Sequence, residues 1–102
     1  MGIQRNAYNK LSTYKTEWNE DAKGGVVIYC KTKIVEWVYG QIKLNSDGWE
    51  SVTTKKKMNQ ASHQFGLGFS VYQRKGQWYV DTRNGKTLDY VDGITFDIGA
   101  VQ

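Results

Sequence analysis

Alternating hydrophobic and polar residues predict three strands in the first half of the chain. Val26 to Lys31 and Ile34 to Tyr39 are rich in β-branched and aromatic residues, with a short polar link between them. Gln41 to Asn45 alternates cleanly after a glycine that allows a turn. Alternation with period two is typical of strands, so we expect an antiparallel meander. Both alternating sets of the second run contain apolar residues, which leaves its inward face open.

A helix is predicted from about Thr54 to Phe65, because apolar residues recur there at helical spacing. Thr53 or Thr54 is expected to cap the first turn through its hydroxyl. Gly66 is expected to supply the left-handed residue that ends the helix. The apolar stripe that would pack on a sheet consists of Met58, Ala61 and Phe65.

Four further strands are predicted after the helix, separated by turn sequences that contain Lys75-Gly76, Asn84-Gly85 and Asp92-Gly93. The expected fold class is α+β: an antiparallel, strongly bent sheet of about seven strands (β-β-β-α-β-β-β-β) with one helix packed on it. The four strands are Gly68 to Arg74, Gln77 to Thr82, Lys86 to Tyr90 and Ile94 to Ile98.

Residues 1–102 are expected to form a single domain, with a polar, aromatic-containing N-terminal arm over 1–23 and a globular body over 24–102. The arm is either extended or a poorly formed helix, because its aromatic spacing is loosely helical but its Asn, Ser and Thr disfavour helix interiors. The spaced residues are Tyr8, Leu11, Tyr14 and Trp18.

The composition indicates a cytoplasmic protein. Cys30 is the only cysteine, which excludes an internal disulfide framework. No apolar run approaches the ~20 residues that span a bilayer, so no membrane association is expected. The formal net charge of +4 is compatible with nucleic-acid binding but does not predict it.

No catalytic constellation, metal site or cofactor is expected, so an enzyme is the weakest functional class. Cys30 and His63 are too few for a zinc site, and a mid-strand cysteine is usually a small buried hydrophobe. The glycines near residue 67 follow the helix, the reverse of a phosphate-binding loop. Asp92 precedes a turn glycine and should bond its own backbone. The acidic cluster is expected to be solvated; it comprises Asp81, Asp89, Asp92 and Asp97.

The strongest candidate interface is basic. Residues 51–80 contain no aspartate or glutamate but five cations, three of them at the start of the predicted helix. Cations oppose the helix dipole there, and lysine is suited to phosphate. The alternative is an ordinary solvated helix whose outward face shows Lys56, Asn59, Gln60, His63 and Gln64. The candidate nucleic-acid-binding residues are Thr54, Lys55, Lys56, Lys57, Gln60, His63, Arg74 and Lys75.

Tyr72 and Tyr79 are predicted on the faces of their strands opposite the apolar Val71 and Trp78. Exposed rings beside basic residues could stack on unpaired bases. They could equally be cross-strand neighbours that cover the outer sheet face. Both interpretations stay open at this point.

The chain resembles small uncharacterised proteins of tailed bacteriophages. The resemblance rests on Tyr8 to Tyr14, Asp47 to Trp49, Thr53 to Gln60 and Gly66 to Tyr72. It implies expression in the cytoplasm of a bacterial host, and it carries no functional residues with it.

Two hypotheses of function follow. The first is a small non-enzymatic protein that binds nucleic acid through the basic N-terminus of its helix. The second is a protein-interaction module, such as an inhibitor of a host enzyme or a virion accessory subunit, with exposed aromatics and an unpaired sheet edge as its contact surface. Formation of a homo-oligomer through an edge strand is a variant of the second.

Overall fold

The computed structural model describes residues 15–48 and 50–98. Over these residues the chain forms eight strands and one helix. In chain order they are β1 (Thr16–Glu20), β2 (Gly24–Tyr29), β3 (Thr32–Val38), β4 (Gln41–Leu44), α1 (Val52–Gln64), β5 (Ser70–Arg74), β6 (Gln77–Asp81), β7 (Thr87–Asp89) and β8 (Ile94–Asp97).

The strands form two antiparallel sheets, so the prediction of one bent sheet of about seven strands was wrong. The larger sheet has the order β1-β2-β3-β4-β8 and the smaller one β5-β6-β7. The α+β class, with antiparallel strands and one helix in the described residues, is confirmed. The difference arises because β8 pairs with β4, Gln41 opposite Asp97 and Leu44 opposite Ile94, instead of with β7.

The Asp92-Gly93 pair carries the chain from one sheet to the other, where a hairpin was predicted. On one side, the Tyr90 N–H donates to the Trp78 carbonyl of the smaller sheet at 3.0 Å. On the other, the Gly93 N–H donates to the Leu44 carbonyl of the larger sheet at 2.8 Å. The two hydrogen bonds therefore lie only three residues apart along the chain.

The Asp92 carboxylate holds the loop that follows β4, which corrects the expectation that it would bond its own backbone. Its Oδ1 accepts from the Ser46 N–H at 2.9 Å, from the Ser46 hydroxyl at 2.7 Å and from the Tyr90 hydroxyl at 2.7 Å. Its Oδ2 accepts from the Gly48 N–H at 2.8 Å. The carboxylate therefore accepts hydrogen bonds from N–H and hydroxyl groups of a loop that is not paired in a sheet.

Thr16–Glu20 is extended and pairs along its length with β2, which supports the extended alternative for this part of the arm. Trp18 packs against the hydrophobic core. The other spaced residues of the predicted arm, Tyr8, Leu11 and Tyr14, lie outside the described residues.

A bulge in β3 resolves the ambiguity of its inward face. The register with β2 shifts between Val27 and Ile28, so that Ile34 has no partner opposite it and both Ile34 and Val35 are buried. The β2–β3 turn has left-handed residues, Cys30 at φ 50° and Lys31 at φ 70°. Cys30 is thus exposed in a turn, which corrects its predicted place as a buried strand residue.

The helix begins two or three residues earlier than the threonine caps predicted. Ser51 is the N-cap, and its hydroxyl accepts from the Thr54 N–H at 3.2 Å. At the other end Gly66 has φ 67°, as predicted, and the Leu67 N–H donates to the Ser62 carbonyl at 2.9 Å. This six-residue hydrogen-bonded closure is the Schellman form of helix end.

The predicted helix stripe lies in the core. Met58 and Ala61 are fully buried, and the half-buried Phe65 ring lies 4.7 Å from the Trp37 ring, centroid to centroid. Between the two sheets, the rings of Phe69 and Phe96 meet edge to face at 5.9 Å. One continuous core therefore joins the helix to both sheets.

Polar side chains of α1 cover the outer edge of β5. The Asn59 amide donates to the Val71 carbonyl at 2.9 Å and accepts from the Val71 N–H at 2.7 Å. One helical turn later, the Ser62 hydroxyl donates to the Phe69 carbonyl at 2.7 Å and accepts from the Phe69 N–H at 2.9 Å. Asn59 was predicted on the outward face of the helix, but it is half-buried and takes the place of a neighbouring strand.

Candidate nucleic-acid interface

The three lysines of the first helical turns point in three directions, because successive helical residues are rotated by about 100°. Lys55 is half-buried, with its ammonium 5.6 Å from the centroid of the Trp78 ring. Lys56 is exposed. The Lys57 ammonium lies 5.2 Å from the Tyr29 ring, and this side chain is 3% exposed. The lysines therefore do not form one patch.

Three of the candidate residues are inside the fold. Besides Lys57, Gln60 is 3% exposed, which corrects its predicted place on the outward helix face. Thr54 is buried, and its hydroxyl lies 3.0 Å from the Ser51 hydroxyl. Burial lowers the pKa of Lys57. All three side chains are therefore largely withdrawn from the protein surface.

Gln73 connects the helix start with the end of the β5–β6 hairpin. The Lys55 ammonium donates to its Oε1 at 3.5 Å. Arg74 follows in the chain and Lys75 occupies the hairpin turn, both exposed. Because side chains alternate along a strand, Lys55 and Arg74 lie on opposite sides of this hairpin. The sequence offered no signal for Gln73 beyond its place next to Arg74.

His63 is exposed but lies apart from the lysines. It occupies the last turn of α1, eight residues after Lys55, which is about 12 Å along a helix axis. The contact of Lys55 with Gln73 thus places the first helical turn beside the end of the β5–β6 hairpin, where Arg74 and Lys75 lie, and away from His63.

The outer face of the smaller sheet carries a row of three paired residues. Tyr72 lies opposite Tyr79, and Tyr79 lies opposite Asp89. The two rings stack with their centroids 5.7 Å apart and their planes at 30°, as the cross-strand interpretation predicted. The Arg74 guanidinium lies 5.8 Å from the Tyr72 ring.

Asp81 fixes the Tyr72 hydroxyl on this face. Its Oδ1 accepts from the Tyr72 hydroxyl at 3.0 Å and from the Thr87 hydroxyl at 2.8 Å. Desolvation and this hydrogen bond to Asp81 raise the pKa of Tyr72. The tyrosine therefore stays neutral at physiological pH and keeps donating to the carboxylate.

A cavity of about 350 Å³ lies near the start of the helix. Its lining includes Tyr29, Cys30 and Ile34, together with the hydroxyl pair of Ser51 and Thr54. Because these two hydroxyls bond each other, they give a ligand little polar recognition.

The described parts of the chain contain no grouping of three or more His, Cys, Asp or Glu side chains suited to a metal ion. Asp97 is exposed, as predicted, and accepts from the Gln41 amide. Within residues 15–48 and 50–98, the helix is neither long nor apolar enough to cross a bilayer.

Comparison with protein-family models matches residues 1–97 to the Kyanoviridae Gp96 protein. Comparisons with curated proteins and with solved structures found no match. The family match spans nearly the whole chain and confirms the resemblance to small phage proteins. The chain belongs to the Kyanoviridae Gp96 protein family of phage proteins.

Proposed function

We propose that this phage protein is a non-enzymatic nucleic-acid-binding protein that contacts phosphates through four cations at the end of the β5–β6 hairpin. These hairpin-end cations are Lys55, Lys56, Arg74 and Lys75. The proposal uses fewer residues than the candidate nucleic-acid-binding residues suggested by the sequence, because Lys57, Gln60 and Thr54 are buried.

The observation that carries the proposal is the contact between Lys55 and Gln73 at 3.5 Å. It brings the first helical turn, with the exposed Lys56, next to the hairpin end with Arg74 and Lys75. These two segments belong to the acid-free stretch of residues 51–80, so no carboxylate within it offsets their charge. Cations grouped in this way favour phosphate binding by releasing counterions.

Fluorescence anisotropy with labelled oligonucleotides tests the proposal. Wild-type protein is expected to bind at ~50 mM salt and to lose about 0.9 log unit of affinity per log unit of salt for each phosphate contact on duplex. The double variant Lys56→Glu/Lys75→Glu changes two exposed residues and is expected to bind at least about tenfold more weakly.

The matched control is Lys33→Glu/Lys43→Glu, which makes the same change in net charge. Both residues are exposed on the larger sheet. This variant is expected to keep its affinity within about twofold, since it changes none of the hairpin-end cations. An absence of binding by the wild type, or equal losses in the two double variants, would overturn the proposal.

The protein-interaction alternative is favoured by a different surface, the β3–β4 turn. Tyr39 is 75% exposed and the neighbouring Val38 is 50% exposed. An exposed tyrosine beside an aliphatic side chain is typical of interface anchors. A pull-down from a host or virion lysate tests this alternative. Wild-type protein is expected to retain a partner protein in stoichiometric amount, and the variant Tyr39→Asn is expected not to retain it. Asparagine suits the left-handed Tyr39 backbone, at φ 51°, so the variant is expected to fold.

A further inference from the structure

The outer face of the smaller sheet has three zones along its strands. Arg74 lies at the hairpin end, Tyr72 and Tyr79 lie in the next row, and Asp81 lies in the row after that. Asp89 extends the tyrosine row on β7. Except for the half-buried tyrosines and Asp81, the side chains of this face are exposed.

We infer that the nucleic acid recognised by this protein is single-stranded, with its bases stacking on Tyr72 and Tyr79. The inference rests on the proposed function, because the phosphates would be held by the hairpin-end cations. Every base has a flat aromatic face, so stacking on a tyrosine requires no particular sequence. In a duplex those faces are covered by neighbouring bases, and the two rings would add nothing.

The tyrosine pair is held in position before any ligand arrives. The rings stack on each other across two strands, and the Tyr72 hydroxyl is bonded to Asp81. Asp81 is itself bonded by Thr87 from the third strand. Rings that are already ordered lose little rotamer freedom on binding, which favours affinity.

The charges on this face determine how a strand would lie on it. Arg74 is two residues from the tyrosine row, which is about 7 Å along a strand. Asp81 and Asp89 place negative charge at and beyond the tyrosines, where a phosphate would be repelled. The backbone of the nucleic acid is therefore directed to Arg74 and Lys75, and its bases to the rings.

Anisotropy titrations with a labelled dT12 strand and a duplex of equal length test this inference. Wild-type protein is expected to bind the single strand more tightly. Tyr72→Thr/Tyr79→Thr is expected to weaken single-strand binding by about 5- to 150-fold for each stacked base lost. Threonine keeps the β propensity, and duplex affinity and its salt dependence are expected to stay unchanged.

Two control variants test whether single-strand binding depends on the aromatic rings of Tyr72 and Tyr79 themselves. Tyr72→Phe/Tyr79→Phe keeps both rings and is expected to bind the single strand within about threefold of the wild type. Tyr39→Asn removes an exposed tyrosine on the larger sheet and is expected to leave binding unchanged. Circular dichroism and thermal melting establish that each variant is folded.

A crosslinking measurement on the wild-type protein tests the inference even if the threonine variant does not fold. Irradiation of a bound single strand that contains 5-bromouracil is expected to give crosslinks that map to Tyr72 or Tyr79. If protein that binds single strands gives no crosslink at either ring, or the folded threonine variant binds them as the wild type does, the inference is overturned and the proposed function stands. If wild-type protein binds neither ligand, the proposed function itself fails.

Discussion

Asn59 in the helix satisfies both backbone groups of Val71 in the neighbouring strand, at 2.9 Å and 2.7 Å. The side-chain amide has one donor and one acceptor group, the same pair that an adjacent strand would offer. Together with Ser62 it closes the edge of β5 without another strand.

Replacing Asn59 with alanine is expected to lower the free energy of unfolding by about 2–4 kcal/mol, because two backbone groups of a buried residue lose their partners. Urea unfolding followed by circular dichroism measures the change. Lys56→Ala, at an exposed position of the same helix, is the control and is expected to stay within about 0.5 kcal/mol of the wild type. Equal stability of the two variants would show that water replaces the amide without loss.

The Asp92 carboxylate is expected to make stability depend on acid pH. Partial desolvation of the carboxylate alone would raise its pKa, but hydrogen bonds from Ser46, Tyr90 and Gly48 outweigh that effect and lower the pKa to about 2, from an ordinary 3.8. Because the pKa of Asp92 is lower in the folded protein than in the unfolded chain, its ionised carboxylate stabilises the fold. This stabilisation is complete above the unfolded-state pKa, at about pH 4, and is lost as the pH falls towards 2.

Urea midpoints measured between pH 2 and pH 5 check this expectation with the variant Asp92→Asn. The variant is expected to lose about 1–2 kcal/mol at pH 7, a modest figure because the residue is exposed and solvent screens its charge. It should also lose part of the acid dependence. Asp47→Asn, in the loop that donates hydrogen bonds to Asp92, is the control. An identical dependence of the urea midpoint on pH in wild type and Asp92→Asn would contradict the prediction.

Lys57 and Lys56 are expected to behave differently although they are neighbours. Lys57→Met removes a charge that is 3% exposed and is expected to leave nucleic-acid affinity within about twofold. Its unfolding free energy should change by no more than about 1 kcal/mol, because relief from the burial of the ammonium opposes the loss of its contact with the Tyr29 ring. Lys56→Met should instead weaken binding and leave stability unchanged. Anisotropy titrations measure the affinity and urea titrations the stability of both variants. Weaker binding by Lys57→Met than by Lys56→Met would refute the placement of Lys56, and not Lys57, at the nucleic-acid interface.

Gly25 is expected to tolerate no side chain. A Cβ there would lie 2.5 Å from Cζ2 of Trp37, its partner across β2 and β3, and 2.6 Å from the Asn19 carbonyl. Gly25→Ala is therefore expected to cost about 1–3 kcal/mol of stability through overpacking. Thermal melting measures it beside Lys23→Ala, an exposed neighbour expected to melt with the wild type.

Local features were predictable from the sequence because they depend on neighbours in the chain. Gly66 ends the helix with the positive φ that was predicted. The hairpins at Lys75-Gly76 and Asn84-Gly85 join β5 to β6 and β6 to β7, as their turn residues indicated. Met58 and Ala61 face the core because helical spacing determines a face.

Features that depend on distant residues were not predictable. Alternation shows that Ile94 faces a core but does not show which strand it pairs with, so the two sheets were missed. Asp92 was interpreted locally because its partner Ser46 is 46 residues away. The sequence likewise predicted Lys55, Lys56 and Lys57 as one cluster. In the structure Lys57 is buried and the Lys55 ammonium lies over the Trp78 ring, because of contacts with neighbouring elements.

The pairing of β8 with β4 has a consequence for the order of events during folding. Gln41 and Asp97 are bonded across 56 residues, so the larger sheet is completed only by β8, the last strand within residues 15–48 and 50–98. During synthesis β1 to β4 leave the ribosome first, and the free edge of β4 stays open while the helix and the smaller sheet are made. Closing so long a loop slows the final step. Until β8 docks, that open strand edge exposes the nascent protein to misassembly with other chains.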